Sequence, residues 1–243
     1  MSVWVVLPTY DEADNVERVV SAVHDVLRTS ERAPFRILIV DDASPDGTGE
    51  IADALAERHP EVEVLHRAGK EGLGPAYIAG FDRALRGGAD FVIEMDADLS
   101  HNPMDLPRLL AAAREGADVV LGSRYVEGGS IGSWGIVRRF VSAGGSWYAR
   151  VLLGVGVRDL TGGFKCFRRE VLEALDLDAI DSRGYAFQIE TTYRALRAGF
   201  RVVEIPITFV DREHGGSKMS RSIVLEAIWK VPLLRLRALA GRL

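Results

Sequence analysis

The chain has 243 residues, 47% of them hydrophobic, and a formal net charge of −5. That length supports one α/β domain with at most a small appendage, and the acidic balance argues against a nucleic-acid partner held by bulk charge. The single cysteine, Cys166, excludes an internal disulfide framework and a cysteine-based zinc cluster, so a reducing, cytoplasmic setting is the simple expectation.

The N-terminal MSVWVVLPTY has no basic residues ahead of its apolar stretch. It reads as a first strand, VWVVLP (3–8), and not as a signal peptide. A helix is predicted over 14–28, where Val16, Val19, Val20, Val23, Val26 and Leu27 recur at helical spacing. FRILIV (35–40) is a continuous apolar run, as in a parallel strand buried on both faces. The turn SPDGT then leads into a helix around 48–58, and VEVLH (62–66) is a third strand. A helix over 74–87, a strand ADFVIEM (89–95), a helix opened by Pro103 and Asp105, and a strand ADVVLGS (117–123) follow. Such repeated βα units predict right-handed crossovers and a doubly wound sheet.

After residue 124 the pattern changes, and glycines cluster at 128–135, 144–145 and 162–163. Helices are predicted over 136–153 and 186–198, with a short strand FKCFR (164–168) between them. RVVEIPITFV (201–210) contains a proline, which suits an edge or bent strand. The apolar and basic tail reads as an amphipathic helical extension, giving a catalytic domain over 1–219 and a C-terminal segment over 220–243. No uninterrupted apolar run reaches the length of a membrane span.

Ligands of doubly wound sheets bind beyond the carboxyl ends of the strands. Here those ends carry Pro8-Thr9-Tyr10, Asp41-Asp42 and Asp96-Ala97-Asp98. If the fourth strand continues, Asp96 and Asp98 point to the same side. Two carboxylates without a nearby imidazole or thiolate suit a hard divalent ion such as Mg²⁺ or Mn²⁺, with Ser100 offering a hydroxyl. A solvated carboxylate or a helix cap is the bland alternative. Asp41 suits a base N–H or a ribose hydroxyl, and equally an Asx-type turn through SPDG.

The loop PTYDEADN lacks the Gly-x-Gly that lets a backbone approach a pyrophosphate, which counts against a dinucleotide oxidoreductase. GKEGLG (69–74) is not a P-loop, since no Lys-Ser or Lys-Thr follows. Arg124, Arg138 and Arg139 flank the glycine-rich 128–135 stretch, and a guanidinium fork matches phosphate. Arg212, His214 and Lys218 sit in a second glycine-rich loop, DREHGGSKMS. Gln188 and Glu190 lie near a helix start, where Glu190 is a base, a ligand contact or an ordinary helix-start carboxylate.

The segments LPTYDEADN, VDDASPDGT, KEGLGPAYIAGF, EMDADLSHNP, VLGSRY, TGGFKCFRR, GYAFQIE and FVDREHGGSKMS run in order from residue 7 to 220. Each is modest alone, but the ordered set resembles the inverting glycosyltransferases of the GT-A fold, family 2. Within that family it is most similar to the branch that moves mannose onto dolichyl or polyprenyl phosphate. The resemblance implies a GT-A, mostly parallel sheet flanked by helices. It also implies that Pro8, Tyr10, Glu12 and Asp41 hold the nucleotide, with Asp42, Ala97, Gln188 and Glu190 beside the substrate. Asp96 and Asp98 would bracket the metal and the donor diphosphate. Ser100 stands where relatives often carry glutamine. Arg124 and Arg138 would clamp the acceptor phosphate, and Arg212 and Lys218 would close on the donor.

The implied partners are GDP-mannose, a polyprenyl phosphate and the cytoplasmic face of a membrane, contacted peripherally, with room for a membrane-protein partner. Glucose transfer from UDP-glucose is the alternative within this chemistry, and a non-catalytic sugar-nucleotide-binding subunit is the alternative outside it. A nucleotidyltransferase would need a Gly-rich first loop, and an aspartate-nucleophile phosphatase would place its aspartates after the first strand. Both patterns are missing.

Overall fold

The apolar runs of the first half become the centre of a twisted sheet. The computed structural model describes residues 1–132, 136–180, 182, 184–210, 221–241 and 243, without the side chains of 136–141, 221–225 and 227. β1 (Val3–Thr9) is flanked by β2 (Phe35–Asp41) and β4 (Phe91–Glu94), and β3 (Val62–His66) lies outside β2, all parallel. β5 (Val119–Ser123) pairs in parallel with β8 (Val202–Pro206). The short β7 (Lys165–Arg168) is inserted antiparallel between β4 and β5, giving the order β3-β2-β1-β4-β7-β5-β8.

The predicted strand over 164–168 is therefore present, but its place between two earlier strands follows from tertiary pairing and not from local pattern. β8 is the sheet edge, as its proline suggested, because a proline cannot donate to a ladder. Beyond Pro206 the chain bends away. β9 (Thr208–Phe209) then pairs with β6 (Ser130–Ile131) in a small second sheet.

Helices cover both faces. α1 (Val16–Ser30), α2 (Thr48–Arg58) and α4 (Leu106–Arg114) pack on one side. α1 presents Val16, Val19, Val20, Val23 and Leu27 to the sheet, the helical spacing read from sequence. α3 (Leu73–Arg86), α5 (Ile136–Leu153), α6 (Arg169–Ala174) and α7 (Gly184–Arg197) lie on the other side, around Tyr77, Phe81, Phe167 and Phe187.

α8 (Arg221–Leu239) docks on this second face by burying Val231, Leu234 and Ala238. The Tyr148 hydroxyl donates to the Ile228 carbonyl at 2.9 Å, and Arg235 donates to the Leu153 carbonyl at 3.1 Å. Its opposite face stays open: Ile228, Trp229, Leu233, Leu236 and Leu239 are exposed. No helix among the described residues is long and apolar enough to cross a membrane.

Candidate active site

The carboxyl ends of β1, β2 and β4 open onto one edge. Three non-glycine residues there hold a left-handed φ: Asp11 (52°), Ala43 (54°) and Leu99 (60°), one in each loop after these strands. Among the described residues they are the non-glycines with positive φ. Such conformations persist where surrounding structure over-determines them, and they gather at functional sites.

After β1, Tyr10 carries the Lys70 ammonium 3.6 Å above its ring. Glu12 is buried; its backbone N–H donates to Thr48 Oγ1 at 3.0 Å and its carboxylate accepts from Asn15 at 2.7 Å. Pro8 is half-buried within β1. After β2, Asp41 accepts from Thr9 Oγ1 (3.1 Å), Ser44 Oγ (2.6 Å) and the Ser44 N–H (3.1 Å). The turn reading of Asp41 is thus realised, and the carboxylate is fixed at the strand end by that turn. Asp42 pairs with Arg67 and accepts from the N–H groups of Glu71 (3.3 Å) and Gly72 (3.1 Å). It ties down the loop before α3.

β4 ends at Glu94, before the Asp96–Asp98 pair. The two carboxylates therefore sit in a turn and not on a continued strand, so the period-two argument for a shared side does not apply. Both carboxylates nevertheless lie close enough to Tyr77 to act on its phenol. Asp96 accepts from Tyr77 Oη at 3.3 Å, and an added Cβ on Gly163 would be in ordinary contact with Asp96 Oδ1 at 3.8 Å. Burial first, then the Asp96 charge, pushes the Tyr77 phenol well above its ordinary value, so it stays a donor.

Ala97 is buried, and the buried Asp98 accepts from the Ser100 N–H at 3.0 Å. Asn102, and not either aspartate, caps the following helical turn by accepting from the Met104 N–H at 3.0 Å. Ser100 Oγ is buried and has no hydrogen-bond partner. An unsatisfied buried hydroxyl, on a residue whose N–H already binds the Asp98 carboxylate, is an oxygen available to a ligand. An all-oxygen set of this kind fits a hard divalent cation. Among the described residues no three His, Cys, Asp or Glu side chains cluster, so phosphate oxygens or water would complete the coordination.

Behind the turn, His101 is fully desolvated, stacks on Phe164 at 4.9 Å and accepts from the Asp96 N–H at 3.2 Å. Burial, its largest influence, pushes it down to about 4, which keeps the imidazole neutral and able to accept.

Arg124 lies at the end of β5. Its guanidinium donates twice to Asp159 at 2.7 Å and once to Thr161 at 2.9 Å. Burial works against its charge, but the Asp159 carboxylate outweighs that and raises it above the ordinary value. Glu190 is buried and held by Arg194 (2.8 Å) and Ser182. Gln188 receives the buried Lys165 ammonium on its backbone carbonyl at 3.1 Å and on its side-chain oxygen. Arg212, His214 and Lys218 lie outside the described residues, as do the side chains of Arg138 and Arg139.

Sequence reasoning missed Asp159, Tyr77 and the Glu94–Lys165 pair. The pair did leave a signal: a charge interrupts each of two apolar strands, Glu94 in FVIEM and Lys165 in FKCFR. Only the β4–β7 register, which sets Glu94 opposite Lys165, joins them.

Residues 4–176 match the family model for glycosyl transferase family 2. The chain belongs to that family. Among curated relatives, polyprenol monophosphomannose synthase of Mycolicibacterium smegmatis is 52% identical over 228 residues, 93% of this chain and 84% of that one. Undecaprenyl-phosphate mannosyltransferase of Micrococcus luteus is 49% identical over 231 residues, 95% of this chain and 93% of that one. Solved structures share the fold of this family 2 chain at low identity. Glucosyl-3-phosphoglycerate synthase from Mycobacterium tuberculosis, in complex with Mn²⁺, UDP-glucose and phosphoglyceric acid, superposes with a TM-score of 0.69 at 19% identity, covering 96% of this chain and 79% of that one. Mannosyltransferase PcManGT from Pyrobaculum calidifontis, in complex with GDP-mannose and Mn²⁺, gives 0.58 at 18% identity, covering 98% and 74%. The fold is accordingly GT-A: a mostly parallel sheet flanked by helices.

Proposed function

We propose that this family 2 chain transfers mannose from GDP-α-mannose to a polyprenyl phosphate, with inversion at the sugar C1. The observation that carries the reading is its near-half identity, across most of the chain, to two relatives both named for mannose on a polyprenyl phosphate. An acceptor phosphate oxygen forms the new bond to C1. The bond from C1 to the donor diphosphate breaks, and its electron pair leaves with GDP.

The chain's own groups suit that displacement. The acceptor is already anionic, so positioning matters more than proton removal, and a site poor in titrating histidine is adequate. Asp96, Asp98 and Ser100 would hold Mg²⁺ or Mn²⁺, which supplies charge neutralisation for the departing diphosphate. Pro8, Tyr10, Glu12 and Asp41 take the nucleoside. Arg124, its charge shared with Asp159, and Arg138 orient the acceptor phosphate. Arg212 and Lys218, in the segment DREHGGSKMS, are assigned to the donor.

Residues 1–219 carry catalysis, and 220–243 contribute to contact with the cytoplasmic face of a bilayer. Support for the second part comes from the paired outer faces of α5 and α8. The two helices meet through Tyr148 and Ile228, with Trp147 (66% exposed), Val151 and Leu152 exposed on α5 and Trp229 (78% exposed), Leu233, Leu236 and Leu239 exposed on α8. Apolar stripes with tryptophan, and Arg150, Lys230 and Arg237 nearby in sequence, are what an interfacial helix pair needs.

The test is a transfer assay with purified full chain, polyprenyl phosphate in detergent and either GDP-mannose or UDP-glucose, with Mg²⁺ present. Lipid-linked mannose from GDP-mannose supports the reading. Transfer from UDP-glucose alone, or from neither donor, overturns it.

A further inference from the structure

The ladders set Thr9, Asp41 and His66 in one row across the carboxyl ends of β1, β2 and β3: Thr9 is the Cα partner of Asp41, and Asp41 of His66. Register partners in a sheet point to the same face. Thr9 braces Asp41 from one side through its 3.1 Å hydrogen bond, and His66 flanks it on the other. Both side chains converge on Gly49, in the first turn of α2. A Cβ there would lie 3.3 Å from Asp41 Oδ2, 3.4 Å from His66 Cε1 and 3.6 Å from His66 Nδ1.

The His66 ring is oriented. Its Nε2 lies 2.9 Å from Asp53 Oδ1. An ionised carboxylate only accepts, so Nε2 carries the proton, and in the neutral ring Nδ1 is then an acceptor. Asp41 Oδ2 accepts from the Ser44 N–H at 3.1 Å and keeps a second lone pair, so the row ends in two neighbouring acceptor atoms, Asp41 Oδ2 and His66 Nδ1. Asp96 follows β4, three strands from β3 in the sheet order. At about 4.8 Å per strand the row and the carboxylate pair are separated by roughly the reach of an extended nucleoside diphosphate.

Two adjacent acceptors match a base edge that offers two adjacent donors. Guanine presents N1–H beside its exocyclic amine. Uracil presents one N–H between two carbonyls, and a second acceptor would face a carbonyl oxygen and repel it. We infer that His66 is a specificity-determining residue that reads the exocyclic amine of guanine, while Asp41 takes N1–H, so that together they select a guanosine diphosphate sugar. This deepens the donor assignment above and rests on it.

Inosine diphosphate is guanosine diphosphate without that amine, so it isolates the contact. Binding of GDP, IDP and UDP to the full chain is measured by calorimetry in Mg²⁺, for wild type and His66→Ala. The His66 side chain is 49% exposed, so the variant should melt with wild type. One hydrogen bond to the amine predicts that wild type prefers GDP over IDP by about tenfold. His66→Ala should bring GDP to the IDP level and leave IDP unchanged. Asp53→Ala, which frees the ring, should erase part of the preference. An equal GDP-to-IDP ratio in wild type and His66→Ala overturns the inference while leaving the donor assignment intact. No preference for GDP over IDP in wild type overturns it as well. Tighter binding of UDP than of either purine nucleotide overturns the inference and the donor assignment together.

Discussion

Glu94 Oε1 and Lys165 Nζ face each other at 3.1 Å across β4 and β7, and neither side chain has any solvent exposure. Burial pushes the Glu94 carboxyl up to about 7 and the Lys165 ammonium down, and each partner's charge opposes the other's shift. Lys165 also donates to Gln188 and, at 3.3 Å, to Thr191, so one cation fastens α7 to the strand that ends before Asp96. Lys165→Met would leave Glu94 buried beside no cation. Breaking a buried pair from one side costs about 3–5 kcal/mol. Urea unfolding should show that loss, and Glu94→Gln in the same chain should recover most of it. A single variant as stable as wild type would show the pair to be unimportant.

Asp98→Ala should lower transfer by about a hundredfold or more, the usual scale for losing electrostatic stabilisation of a leaving group, with the melting curve little changed. Ser100→Ala removes a buried hydroxyl with no hydrogen-bond partner, so it should cost little stability and instead raise the Mn²⁺ concentration for half-maximal activity. Titrating activity against Mn²⁺ distinguishes the two. An unchanged Mn²⁺ requirement in both variants would remove these residues from metal binding.

His101 gives the fold a pH signature. Its folded value is about 4 against an ordinary 6.5, with burial as the first cause. Between those values the unfolded chain binds the extra proton, so this contribution to stability grows as pH rises from 4 to 6.5 and is lost as pH falls through the same window. Its ceiling is about 3 kcal/mol. Glu94 acts with the opposite sign. Its folded value of about 7 lies above 4.5, so the folded chain binds more protons and stability falls as pH rises through that range. The two oppose each other in wild type, and His101→Asn separates them. Its deficit relative to wild type should widen from pH 4.5 to 6.5 in urea titrations, and a constant gap would contradict the assignment.

Trp147→Glu and Trp229→Glu place charge on the exposed faces of α5 and α8 without touching the packed residues Val231, Leu234 and Ala238. Flotation with vesicles containing anionic lipid should fall in each variant and fall further in the pair, while transfer to a short, detergent-soluble acceptor stays near wild type. Equal flotation of all variants would remove this face from membrane contact.

Much of this fold is legible in the sequence because its parallel strands are unbroken apolar runs separated by helical periodicity. The position of β7 is not, since an antiparallel insertion depends on pairing between segments far apart in the chain. At the site, the strand-end acids were visible as polar residues closing apolar runs. Their partners were not, because Tyr77 and Asp159 reach Asp96 and Arg124 only through tertiary packing. The condition under which Asp96 and Asp98 would share a side, a continued strand, is not met because β4 ends at Glu94 and Leu99 turns the chain with φ of 60°. In the sequence His66 is simply the last residue of the third strand, and only the register beside Asp41 gives it a neighbour that matters.

The central claim is metal-dependent mannosyl transfer to a lipid phosphate at the Asp96–Asp98 turn. The most direct measurement is the initial rate of lipid-linked mannose formation from GDP-mannose by the purified full chain, with Mg²⁺ or Mn²⁺ and again after EDTA. Steady formation of polyprenyl phosphomannose is expected, abolished by EDTA and restored by added divalent metal. Transfer at the same rate in EDTA, or no lipid-linked mannose with metal present, would contradict it.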